Sequence, residues 1–191
     1  MHSLLFYRLK DVINQTGAGW DKLAPTKDTA IDFAHTHLNE DPPEKIDVYR
    51  YSLEYCLAHS AESINERYRA DRPEEIDEQI TGMLSEHSTD TDLVLYKGVC
   101  DYVYDLMVKN ASGMNCDLYE KGFLCTSLVK GHELNYTKRL RIYVPRETHA
   151  VYQGNVNHEQ GFYEVDIQRG AKLNIISADE TYLNCILVET V

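Results

Sequence analysis

The stretch best suited to chemistry in this chain is Glu159-Gln160-Gly161-Phe162-Tyr163-Glu164-Val165-Asp166-Ile167-Gln168-Arg169-Gly170, a polar loop running into an alternating segment and a glycine turn. Gly161 lets the backbone bend, and the order Val-polar-Ile-polar after Glu164 is that of a half-buried strand. A carboxylate at such a junction is held rigidly while the loop beside it meets a substrate. Taken alone, Glu164 reads as a solvated surface acid, since acids are usually exposed. Two further strand ends precede it. Leu93-Val94-Leu95-Tyr96-Lys97-Gly98 ends on a cation beside a glycine, and Gly122-Phe123-Leu124-Cys125-Thr126-Ser127 carries hydroxyls along a strand. The coincidence of three such ends in a fixed order is what singles out Glu164.

Competing chemistries fit less well. Gly17-Ala18-Gly19-Trp20 lacks the third glycine and the preceding strand of a dinucleotide fingerprint, and there is no Gly-Lys-Ser/Thr phosphate loop. His35 and His37 are two apart, so on a helix they point in different directions and read as surface or structural groups. Cys125 with His132 lacks a third, orienting group, and a buried cysteine is commonly a small hydrophobe. The five cysteines are scattered, odd in number and without a Cys-x-x-Cys pair, which predicts free thiols in a reducing compartment and no zinc or other metal site.

The elements that must position these residues follow from patterning. The 191 residues suit one domain, 1–191, with helices over about 1–90 and strands over about 91–191, an α+β order. Leu4, Leu5, Leu9, Val12 and Ile13 share a face of a first helix ending at Gly17 and Gly19. Thr26 or Asp28 caps a second, with Ile31, Ala34 and Leu38 inward and Pro42-Pro43 beyond its end. The stripe Ile46, Tyr49, Leu53, Cys56, Leu57, Ile64 and Tyr68 marks the clearest helix. Pro73-Glu74-Glu75 starts another that buries Ile76, Ile80, Met83 and Leu84. Val103, Leu106 and Met107 suit a helix after the first strand. Further short strands at 139–144, 163–167, 173–176 and 182–188 predict antiparallel sheets packed as a small sandwich.

Charge narrows the partners. With 31 acidic and 19 basic side chains the net charge is −12, which repels phosphate backbones and argues against general nucleic-acid affinity. The start, Met1 to Arg8, has too short an apolar run for a secretory signal, and nowhere are there the roughly 18 successive apolar residues of a membrane span. The expected location is the cytoplasm, or a target cell reached through a dedicated secretion system.

The three strand ends, in their order, resemble the exoenzyme-type mono-ADP-ribosyltransferases, whose toxin members carry an aromatic-Arg-Gly motif, a Ser-Thr-Ser strand and a Gln/Glu-x-Glu loop. Trp20-Asp21-Lys22-Leu23, Ala30-Ile31-Asp32-Phe33 and Ser63-Ile64-Asn65-Glu66-Arg67-Tyr68-Arg69 resemble the helical lead-in of that family, so the likeness runs from about residue 20 to the C-terminus. It implies N-terminal helices on a mostly antiparallel two-sheet β-sandwich. It also implies an NAD-dependent transferase, a toxin or effector that moves ADP-ribose from NAD to a macromolecular acceptor, with NAD glycohydrolysis as a side activity and no metal. The implied acceptor is a protein, with nucleic acid and small molecules as alternatives, and an antitoxin or immunity protein is an implied partner. On the site, the resemblance assigns Glu164 as catalytic and Lys97, Tyr96, Gly98, Cys125, Thr126, Ser127 and Phe123 to NAD, with packing in the sheet interior as the alternative role for Tyr96 and Phe123. Phe162, Tyr163, Gln160 and Glu159 are assigned to the acceptor.

Three positions depart from the family pattern. Lys97 stands where arginine is usual, keeping the charge and losing the planar fork. Cys125 replaces the first serine of the Ser-Thr-Ser strand with a poorer hydrogen-bond partner, leaving Thr126, Ser127 or the backbone to hold the glutamate. Phe162 replaces the polar residue that engages the acceptor, and it stacks rather than hydrogen-bonds. A two-residue shift would bring Glu159 or Gln160 into that role instead. These departures motivate the alternative of a catalytically inactive member that keeps the fold and binds a partner.

The resemblance gives Glu164 a task. Cleaving the nicotinamide–ribose bond develops oxocarbenium character, and a carboxylate that hydrogen-bonds the ribose 2′-hydroxyl and faces the cation stabilises the transition state more than the ground state. Lys97 would neutralise the pyrophosphate.

Overall fold

The computed structural model describes residues 12–39, 53–111, 116–154 and 160–191. The start of the first expected helix, the Ile46 and Tyr49 turns of the third, and Glu159 lie outside these residues. A short 3-10 helix, Gly17–Leu23, is followed by helices α1 (Ala30–His37), α2 (Leu53–Arg69), α3 (Glu75–Leu84) and α4 (Asp101–Asn110). The strands are β1 (Leu93–Val99), β2 (Leu118–Glu120), β3 (Leu124–Ser127), β4 (Lys138–Val144), β5 (Ala150–Tyr152), β6 (Glu164–Ile167), β7 (Ala171–Ala178) and β8 (Leu183–Glu189). Helices thus come first and strands later, giving the α+β fold expected from the sequence.

Hydrogen bonding joins the strands in the order β2-β7-β8-β4-β1-β3-β6-β5. All neighbours are antiparallel except β4 and β8. β1 meets β4 over seven residue pairs but meets β3 at the single pair Tyr96↔Ser127. The two halves expected of a sandwich are therefore linked into one continuous series of eight strands. Between them lies the main core, in which Leu93, Leu95, Leu124, Leu140, Ile142, Val165 and Ile167 meet Ala30 and Ala34 of α1 and Met107 of α4. Helices α2 and α3 cover the far face of the β3-β6-β5 half, where Leu57, Ile64, Tyr68, Ile80 and Leu84 pack on Phe123 and Val151.

Several helix details differ from the expectation. The expected Ala34, Leu38, Ile80 and Leu84 are buried, but Ile31, Ile76 and Met83 are exposed, and Ala30 and Asp77 take inner places in α1 and α3 instead. The reason is local for α3: Asp77 turns inward to accept two bonds from Arg67 of α2, at 2.7 and 2.5 Å, and a third from the Glu74 N–H at 2.8 Å. A buried acid is tolerated when it is paired in this way. α1 begins after Thr29, whose hydroxyl accepts the Thr26 N–H at 3.1 Å, rather than at Thr26 or Asp28. His37, one of the His35/His37 pair, binds Asp90 through Nδ1 at 2.8 Å and packs on Phe33.

The outer face of β1 and β4 is sealed by Trp20, which packs with Val94, Tyr96, Tyr143, Tyr182 and Ile186. Its rim is a polar network. Asp21 accepts from Tyr96 Oη, Arg141 Nε and Lys130 Nζ at 2.9, 2.7 and 2.6 Å, and Arg141 Nη1 also donates to Asp179 and Asn184, each at 2.6 Å. Burial works to raise the Asp179 pKa, but the Thr181 and Tyr182 N–H groups and Arg141 outweigh it and bring it to about 2. Asp21 is also lowered, by Lys130, Tyr96 and Arg141 against burial. A carboxylate with a depressed folded pKa contributes stability above its unfolded value and loses it as pH falls through the folded one. The 3-10 segment is therefore expected to loosen between about pH 4 and pH 2, as the Trp20 emission would report, and the D179N variant is expected to show a smaller loss over that window.

Candidate active site

Three strands and one loop converge at the point where β1 and β3 touch. Glu164 opens β6 directly opposite Ser127, and Asp166 lies opposite Cys125. Side chains opposite each other on paired strands share a face, so Cys125, Ser127, Glu164 and Asp166 all project to the α2 side of the β3–β6 pair. Lys97 and Gly98 arrive from the end of β1. Together with Phe162, Thr126, His132, Glu133 and Leu134, these strands line a cleft of about 130 Å³ that opens to solvent.

Within the cleft most polar groups are already engaged. Lys97 Nζ donates to the Cys125 carbonyl at 2.7 Å, using one of its three hydrogens. Thr126 donates to the Val165 carbonyl at 2.7 Å, across the ladder. Ser127 Oγ donates to the Val129 carbonyl and accepts the Val129 N–H, at 3.0 and 3.2 Å. These two hydroxyls thus fix the strand and the turn after it. Glu164, at the strand start, is half-buried and lines the cleft beside Cys125.

The remaining sequence candidates fall in different places. The Tyr96 ring belongs to the Trp20 layer, where its hydroxyl donates to Asp21, so this residue reaches the cleft wall only as part of β1. Burial and that bond to Asp21 drive the Tyr96 pKa upward. Phe123 is buried against Tyr68 and is not part of the cleft lining. Phe162 is 37% exposed at the cleft mouth. Tyr163 has φ +48°, the left-handed region that a non-glycine residue seldom adopts, and its carbonyl accepts the Leu128 N–H at 2.9 Å. Gln160 begins the short 3-10 turn Gln160–Phe162. Glu159 lies outside the described residues.

Four residues outside the set assigned to the site help to build it. Asn65 of α2 acts as a strand-like partner for Phe123, accepting its N–H at 2.7 Å and donating to its carbonyl at 3.1 Å. The sequence signal was a buried-stripe polar residue between Ile64 and Tyr68. His132 Nδ1 bonds the Gly161 carbonyl at 2.7 Å and its ring meets Tyr163 edge-on, which ties the loop before Glu164 to the 129–137 segment. Glu133, also buried, accepts from Gly131 N, Tyr182 Oη and Arg139 at 2.8, 3.0 and 3.2 Å, anchoring that segment from behind. Asp166 is fully buried, bonded through one oxygen by Gln153 Nε2. No pattern distinguished it from Glu164, since both sit at polar positions of one alternating strand.

Electrostatics separate the nucleophile reading from the carboxylate reading. Burial first, then the Asp166 and Glu164 carboxylates, push the Cys125 thiol well above its usual range despite Lys97. A nucleophilic cysteine needs the opposite shift. Its sulfur lies 3.9 Å from both Asn65 Nδ2 and the Phe123 carbonyl, and the thiol also interacts with the buried Asp166 carboxylate. The site therefore sets the Glu164 carboxylate and the Lys97 ammonium in one cleft, with a thiol whose surroundings favour its protonated form.

Comparison with known proteins agrees with this architecture. A model of the ADP-ribosyltransferase exoenzyme family matches residues 29–189. Curated protein sequences yielded no match. Among solved structures, the Clostridium limosum C3 exoenzyme is similar with a TM-score of 0.66 and 17% identity, covering 87% of this chain and 97% of that one. C3stau2 from S. aureus, solved with NAD, gives 0.63 and 18% over 87% of this chain and 98% of that one. Plx2a, an ADP-ribosyltransferase toxin from Paenibacillus larvae, gives 0.60 and 14% over 85% and 96%. Identities this low speak to the fold, whereas the family model spans the helical lead-in from α1 onward, all three strand ends and the sheet. The chain is a member of the ADP-ribosyltransferase exoenzyme family.

Proposed function

We propose that this protein transfers ADP-ribose from NAD to a protein acceptor and releases nicotinamide, as a toxin or effector acting inside a target cell. The observation that carries the reading is the common cleft of Lys97, Cys125 and Glu164, formed at the one pair that joins β1 to β3. Family membership and the NAD-bound S. aureus relative support it. In the reaction the bond between ribose C1′ and the nicotinamide nitrogen breaks, nicotinamide keeps the electron pair and leaves neutral, and a nucleophile of the acceptor bonds C1′ and gives up its proton. Glu164 hydrogen-bonds the ribose 2′-hydroxyl and faces the positive charge on the sugar. Lys97 meets the pyrophosphate with its remaining N–H groups. The cleft, about 130 Å³, is smaller than the roughly 300–1,000 Å³ of pockets that enclose a drug-sized ligand, so the dinucleotide would extend from it along the surface. Phe162 at the mouth then offers the acceptor an aromatic face, suited to stacking on a ring or a guanidinium.

A second reading, a family member that binds without turnover, is favoured by the bond between Lys97 and the Cys125 carbonyl, which draws the cation onto the strand. The two are separated by incubating purified protein with NAD and following nicotinamide release, alone and with lysate, while mass spectrometry identifies labelled acceptors. Turnover with a labelled protein supports transfer; neither NAD binding by calorimetry nor any labelled macromolecule would leave the binding reading. Lys97→Ala is expected to weaken NAD binding about tenfold, the size of one charged hydrogen bond, and Lys97→Arg to preserve or raise it. Complete loss with Lys97→Arg would assign Lys97 a different task.

A further inference from the structure

We propose that Cys125, Glu164 and Asp166 form a three-ligand site for a thiophilic divalent cation, zinc in a cell, and that its occupation closes the candidate active site. The sulfur and one oxygen of each carboxylate lie within 4.8 Å of one another, a grouping that arises because the three side chains share one face of the β3–β6 pair. An independent feature points to a ligand there. Asp166 is fully buried, Gln153 bonds its Oδ2, and among the described residues its Oδ1 has no nitrogen or oxygen donor, with the weak Cys125 thiol beside the carboxylate. A buried carboxylate oxygen left in that state is costly, and a cation answers it together with the two neighbouring groups.

Charge and softness select the ion. Once the Cys125 proton is released to solvent, three deprotonated ligands and a divalent cation sum to −1, and the Lys97 ammonium, 2.7 Å from the Cys125 carbonyl, brings the cluster to neutrality. Thiolate favours zinc or cadmium over magnesium and calcium. Zinc bonds of about 2.3 Å to sulfur and 2.0–2.2 Å to oxygen require the ligand atoms to draw together by about an ångström. The long contacts of the Cys125 sulfur with Asn65 Nδ2 and the Phe123 carbonyl, each 3.9 Å, and the half-buried position of Glu164 at the strand start allow that contraction. Because Cys125 and Glu164 also line the cleft, a fourth coordination position is left toward it.

The consequence for turnover rests on the function proposed above; the binding does not. Metal-free, reduced protein is titrated with cadmium, read by thiolate-to-cadmium ultraviolet absorption, and with zinc by calorimetry. One equivalent is expected with a thiolate band, lost in Cys125→Ser and weakened about tenfold or more in Asp166→Asn and Glu164→Gln. Cys100→Ser, which removes an exposed thiol just before α4, is expected to leave that equivalent in place. Should Asp166→Asn not fold, Glu164→Gln carries the carboxylate arm. No bound metal in wild type, or binding indifferent to Cys125→Ser or to both carboxylate variants, overturns the site. Metal bound as described by a protein that never consumes NAD keeps the site and removes the proposed function. NAD turnover undiminished at saturating zinc overturns closure.

Discussion

Glu164→Gln is expected to lower the kcat for nicotinamide release by about 10²–10³-fold, the loss typical of removing one group aimed at transition-state charge, about 3–4 kcal/mol. NAD affinity and melting temperature are expected to stay near wild type. The argument for separating these readouts is structural. The backbone of residue 164 holds the fold through its carbonyl, which accepts the Gln153 N–H at 3.0 Å, and through its pairing with Ser127. Glutamine keeps the size, the strand and an oxygen able to accept from the ribose hydroxyl, and removes the negative charge that the oxocarbenium-like sugar requires. A change confined to kcat is the mark of an interaction made in the transition state, whereas a rise in KM with kcat unchanged would make Glu164 a ground-state contact. Single-turnover kinetics beside calorimetric NAD binding distinguish the two, and wild-type turnover by Glu164→Gln would refute the mechanism.

How much of this was readable in the sequence depended on whether one face or two were buried. β1 reads as an uninterrupted apolar run because one face meets the main core and the other meets Trp20, and its strand character was plain. In β6 the alternation Glu-Val-Asp-Ile correctly placed Val165 and Ile167 in the core. It also implied that Glu164 and Asp166 were equivalent, although Asp166 is fully buried and bonded by Gln153 while Glu164 opens on the cleft. That difference depends on what packs over each position of the strand, a tertiary fact that no local period encodes. The short strands β2 and β5, three residues each, carry too few alternations to be recognised. Among candidate ligands, order along the chain identified Lys97, Cys125 and Glu164, which do share a cleft. Tyr96 and Phe123 take the interior role that was their alternative, because adjacent strand residues take opposite faces and these two meet the Trp20 layer and the α2 helix. The contributions of His132 and Asn65 depend on loop and helix placement, and neither residue has a spacing signature.

Gly98→Ala is the substitution expected to damage the site most without touching a chemical group. A methyl at this position would stand 2.1 Å from the Leu134 carbonyl oxygen and 3.0 Å from a Tyr136 ring carbon. The first of these is backbone, so the side chain cannot be accommodated by a rotamer change, and β1 itself is fixed by its pairing with β4, where Gly98 faces Arg139. The 129–137 segment must therefore yield. It carries Leu134 and His132 into the cleft wall, and through His132 it is bonded to Gly161, three residues before Glu164. Overpacking of this kind costs about 1–3 kcal/mol, roughly 2–4 °C of melting temperature per kcal/mol for a chain of this size. Displacement of a positioned group by about an ångström lowers turnover by up to about 10²-fold. Gly82→Ala supplies the contrast: it lies within α3, its added methyl meets nothing within 4 Å among the described residues, and the substitution is expected to stabilise by about 0.5–1 kcal/mol with turnover unchanged. If Gly98→Ala lowers stability and leaves NAD turnover intact, the 129–137 wall does not position the reacting groups, and the cleft's chemistry resides in the strands alone.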